Sequence, residues 1–149
     1  MYWTVATAKV LQTDGYDYSD VIVEMKRRIQ AGKKLDVVRD GLIRNMKLAF
    51  RRSGRDHKFP EHISVAVNDW RLEPGKIGSY THDQPESKYS FGLIVVDPKA
   101  LDDMNYSREI VKHELIHSAL GHPNCDANSH GEDFQELAEI FDLPEEYRD

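Results

Sequence analysis

The chain has 149 residues, enough for one domain with a real core, and its 40% hydrophobic and 31% charged residues exclude wholesale disorder. No apolar run approaches the roughly 20 residues a membrane-spanning helix needs. The net charge of −6 argues against a large nucleic-acid surface, and the single cysteine excludes an internal disulfide. The N-terminus, Met1-Tyr2-Trp3-Thr4, lacks a basic region followed by an apolar stretch, so no secretory signal and a cytoplasmic setting are expected.

In chain order, residues 1–12 fit a strand or a helix equally well, and 14–20 read as a polar loop. Ser19 or Asp20 then caps a helix expected to end near Gly32. A second helix is predicted over 35–52, with Val38, Leu42, Ile43, Met46 and Phe50 as its apolar stripe and Ser53-Gly54 as its stop. Ile63, Val65 and Val67 alternate with Ser64 and Ala66, a strand pattern. Pro74-Gly75 marks a turn, 76–82 a short strand, and 91–96 a buried strand ended by Pro98. A helix capped by Asn105 or Ser107 runs through Ile110, Val111, Leu115, Ile116 and Leu120 to a stop at Gly121. A polar loop, 122–129, leads to a last helix over about 131–141. The order of helices, small sheet and two helices defines an α+β class, in a single domain spanning 1–149.

Charge is uneven along the chain. Lysine and arginine concentrate between residues 26 and 58, including Arg51, Arg52 and Arg55, whereas 126–149 is acidic. The plain reading of the basic stretch is a solvated helix face; contact with a DNA or RNA phosphate backbone is the alternative.

His113-Glu114-Leu115-Ile116-His117 matches H-E-x-x-H. Residues four apart lie on one helix face, so two imidazoles can reach one ion at about 2.0–2.1 Å. Glu114 lies about 100° round the helix from His113 and can act on a water beside the metal instead of the metal itself. Matches by chance occur in on the order of one chain in a few hundred at this length. The helix is otherwise largely apolar, so the motif should be buried, and buried histidine and glutamate need partners. A catalytic zinc site ordinarily takes three protein ligands. The candidates for the third are His122, His130, Glu132, Asp133 and Cys125. The loop before His130 is long enough to bring it to the open side of the metal, which favours it over His122. For steadying an oxyanion, Tyr80, Tyr106, His122 and Asn124 all stand open.

The motif, followed after the loop by Ser129-His130-Gly131-Glu132-Asp133-Phe134, resembles the SprT-like zincin family, which includes the Spartan proteases. Trp70, the 91–97 run and the 98–101 segment are similar in layout to the small sheet of that family. The resemblance covers about 63–141. It implies a zincin-like domain with N-terminal helices, a small sheet, the motif helix and a C-terminal helix. It further implies Zn2+ on His113, His117 and His130, Glu114 as general base, Gly131 as the entry to the last helix and Phe134 as its packing onto the motif helix. The activity it implies is zinc-dependent hydrolysis of peptide bonds in a protein or peptide substrate. A metal-dependent hydrolase of RNA or another non-peptide bond is the alternative, as is an idle zincin fold used for binding; the presence of Glu114 argues against both. Many members carry a cysteine-rich zinc ribbon after the catalytic domain. With one cysteine and little chain after the last helix, no ribbon is expected here, which leaves DNA binding to the basic stretch between residues 39 and 58.

Overall fold

The structure is a computed structural model that describes residues 19–68, 72–83, 91–121 and 130–149. The expectations for 1–18, the polar loop 122–129 and Trp70 fall outside those residues, and so do His122, Asn124 and Cys125.

Among the described residues the chain is α+β, with helices packed on a small mixed sheet. Helix α1 spans Ser19–Ser53, strand β1 His62–Val67, strand β2 Gly78–Asp83 and strand β3 Phe91–Val96. A 3-10 turn, Pro98–Asp102, leads into helix α2, Met104–Ala119. Helix α3 is Glu132–Ile140, and a second 3-10 turn covers Glu145–Tyr147. No described helix is long and apolar enough to cross a membrane.

Two helices were expected before the sheet, yet α1 is one continuous helix of 35 residues, about 50 Å long. Gly32 does not end it. A glycine inside a helix costs only about 1 kcal/mol relative to alanine, and no proline blocks the ladder. Gly32, Leu35, Leu42, Met46 and Phe50 are all buried in α1, so the buried stripe starts at Gly32 itself and holds the expected break against the core. A side chain at Gly32 would lie 3.7 Å from the carbonyl oxygen of Val65. The glycine therefore sits where the helix passes the backbone of β1.

The sheet has the order β1-β3-β2, with β1 parallel and β2 antiparallel to β3. Val65 pairs with Ile94 and Val67 with Val96; on the other side Tyr80 pairs with Ile94 and Gly78 with Val96. These residues share one face because side chains alternate along a strand. That face joins Leu35, Met46, Ile110, Leu115 and Phe134 in one core. Space on it is tight at Gly92, where a Cβ would approach the Tyr80 ring to 2.6 Å.

The start of α2 also differs from expectation. Its cap is Asp103, whose carboxylate accepts from the backbone N–H of Asn105 (3.0 Å) and Tyr106 (3.3 Å). Ser107 is instead used inside the first turn: its hydroxyl donates to the Ala100 carbonyl at 2.6 Å and ties the helix to the preceding 3-10 turn. At the other end, Gly121 adopts a left-handed φ of 74°, and its N–H donates to Ser118, as the stop requires.

Two glycines should respond to alanine with opposite signs. A Cβ on Gly41 meets nothing within 4 Å, so Gly41→Ala should stabilise by about 0.5–1 kcal/mol. Gly92→Ala forces the buried Tyr80 ring aside and should cost about 1–3 kcal/mol. Denaturant melts of both variants check the signs; a stabilising Gly92→Ala would contradict the packing of this face.

Candidate metal centre

Helix α2 is buried along most of its second half, from Ile110 through Ala119, with few interruptions. His113 and His117 therefore project into the protein, one turn apart. His130 comes from the other side, one residue before Gly131, the N-cap of α3. The three rings meet at their Nε2 atoms: His113 to His130 is 3.1 Å, His117 to His130 3.1 Å and His113 to His117 3.2 Å.

These contacts do not make sense as hydrogen bonds alone. His113 Nδ1 donates to the carbonyl oxygen of Tyr147, which can only accept. Burial pushes the His113 pKa down to about 4, with His130 and Lys76 adding to it against the Tyr147 carbonyl and Asp149. The neutral ring then carries its proton on Nδ1, and Nε2 offers only a lone pair. Each remaining Nε2 holds a proton or a lone pair, so at least one of the three contacts sets like against like. A cation at the centre removes the conflict. Four ligands at about 2.0–2.1 Å in a tetrahedron stand roughly 3.3 Å apart, close to the observed triangle. The three histidines could hold a metal ion.

Phe134 backs the whole group. Its ring centroid lies 4.8 Å from that of His113, 4.7 Å from His117 and 5.0 Å from His130. It was expected to pack one helix on another; the structure adds that it touches every imidazole of the triangle. Tyr147 is a further residue that sequence reasoning missed. It lies 34 residues from His113 and in no motif, so no local signal marks it.

Glu114 is 3% exposed and not part of the group of converging nitrogens. Its carboxylate faces β2: a Cβ on Gly78 would come within 3.3 Å of Oε1. A cleft of about 640 Å³ opens there, lined by His113, Glu114 and His130 together with Gly78, Tyr106 and Tyr147. Glu132 and Asp133, the acidic candidates for the third ligand, are exposed in the first turn of α3, where they suit the positive helix end. Tyr106 borders the cleft, whereas Tyr80 is fully buried in the core.

The basic stretch is partly committed within the chain. Arg39 pairs with Asp36 and Asp40 and donates to the Ile63 carbonyl, and Arg55 pairs with Glu136. Arg44, Lys47, Arg51 and Arg52 remain exposed on α1.

No protein-family model, curated protein or solved structure matches this chain.

Purified protein is expected to carry about one divalent ion per chain. Metal should raise the melting temperature, because ions that bind only the folded state stabilise it. His130→Ala should weaken binding strongly. Equal affinity in that variant and the parent would remove His130 from the set.

Proposed function

We propose that this protein is a zinc-dependent metallopeptidase with an SprT-like, zincin-type architecture. The observation that carries the reading is the meeting of three imidazole nitrogens beside a cleft that also receives the buried carboxylate of Glu114. Three neutral nitrogen donors at near-tetrahedral spacing suit zinc. A zinc ion held there would supply Lewis-acid activation of a water and polarisation of a substrate carbonyl.

The chain's own residues account for the rest. His113 is held in one tautomer by the Tyr147 carbonyl, which orients its Nε2 inward. Glu114 lies beside the ligands without joining them. It accepts the proton of the attacking water and returns it to the leaving amine as the C–N bond breaks. The lack of a side chain at Gly78 lets β2 come close to the motif helix beside the cleft, since a Cβ there would meet Ile110 at 2.6 Å and crowd Glu114. The tilted pair Tyr106 and Tyr147, with ring centroids 5.6 Å apart, gives the cleft an aromatic wall for a substrate side chain.

Glu114→Gln separates chemistry from binding. The amide keeps the size and polarity but cannot accept the proton. Zinc content and melting temperature should stay near those of the parent, while hydrolysis of a denatured protein substrate drops by about 10² to 10⁴. Unchanged hydrolysis would sink the assignment of the base; loss of zinc would make Glu114 structural.

A further inference from the structure

The ligands of the triangle are not equally well held. His113 and His117 sit inside α2, where the backbone ladder on both sides fixes them. His130 lies outside the ladder of α3, whose first bond runs from the Gln135 N–H to the Gly131 carbonyl at 3.0 Å. Something other than the helix must fix the backbone of His130 if its Nε2 is to stay within 3.1 Å of both partners.

The side chain of Gln135 is placed to do this. Its amide nitrogen donates to the His130 carbonyl at 3.3 Å and to the Arg148 carbonyl at 3.4 Å. Arg148 belongs to a segment that already contacts the site. After α3 the chain reverses at Asp142, with a left-handed φ of 55°, and the Leu143 N–H donates to Ala138 at 2.8 Å. Leu143 is fully buried, and Arg148 Nε donates to its carbonyl at 2.8 Å, which closes the turn. One residue earlier than Arg148, the Tyr147 carbonyl receives His113 Nδ1. The same returning turn thus reaches His113 directly and His130 through Gln135.

We propose that Gln135 and residues 142–148 form one positioning frame for the metal centre, in which Gln135 sets His130 against His113. The proposal rests on the reading of the three histidines as metal ligands. Without the amide donor, the carbonyls of His130 and Arg148 lose the group that links them, and the His130 backbone gains freedom. The loss should appear in the metal site rather than in the fold, because Gln135 is only half-buried and outside the core. Partners one shell out from a metal typically change its affinity by about 10- to 100-fold.

The test uses the full chain with Zn2+ and Co2+ as probes. Zinc affinity is measured by chelator competition for the parent, Gln135→Leu and Gln135→Met, and Co2+ loading is followed by visible absorption. Gln135→Leu and Gln135→Met should bind zinc about 10- to 100-fold more weakly and show altered Co2+ bands, with metal-free melting temperatures close to the parent's. If leucine destabilises the metal-free protein, the unbranched methionine variant decides. Affinity within about twofold of the parent and an unchanged Co2+ spectrum would overturn the frame while leaving the metal reading intact. A parent chain that takes up neither ion would overturn both.

Discussion

Three imidazole nitrogens within 3.2 Å of one another cannot set a proton against a lone pair at every contact, and much of the surrounding structure answers that constraint. The rings, those of His113 and His117 buried and that of His130 half-buried, are kept together by Phe134 behind them and by the Tyr147 carbonyl on the outer nitrogen of His113. Burial disfavours protonation of His113, which keeps its inward nitrogen a lone-pair donor at neutral pH. Aromatic backing and a fixed tautomer serve the same end: three converging nitrogens that could hold a metal ion.

The sheet sets what faces that pocket. Gly78, at the start of β2, sits against Ile110 and Glu114, so the strand approaches the motif helix closely where the cleft opens. Tyr80, two residues on, points to the same side but is sealed by Gly92 and belongs to the core. The same strand face therefore changes over two residues from the border of the cleft to packed interior. This keeps Glu114 next to open space, while its neighbours Leu115 and Ile116 are fully buried.

Helix α1 supplies the back of the domain. Its stripe from Gly32 to Phe50 packs on β1 and the motif helix, and Phe50 meets Phe141 edge-on at 5.2 Å, linking the long helix to the end of α3. The ion pair between Arg55 and Glu136 makes the same link at the surface. The basic residues of this helix thus divide into those that brace the fold and those left facing solvent.

The local code of the chain determined its elements and the chemistry of its motif. Alternation marked the strand at Ile63–Val67 and a nearly continuous apolar run the strand at Phe91–Val96, spacing of four put His113 and His117 on one face, and Gly121 marked a stop, because these signals act over a few residues. Candidate status for His130 was legible from the length of the loop before it and from the resemblance carried by residues 129–134. Local signals misled where tertiary packing outweighed them: Gly32 reads as a helix end but is carried through by the buried stripe, and Asn105 and Ser107 read as caps but yield to Asp103 once Ser107 is drawn to Ala100. Only the folded chain decided that the nitrogens of residues 13 and 17 positions apart meet at 3.1 Å, and that Glu114 turns toward Gly78. Only it brought Tyr147 and Gln135 to the site. Those contacts depend on how α3 docks on α2 and how the chain reverses at Asp142, and no spacing of residue types encodes either.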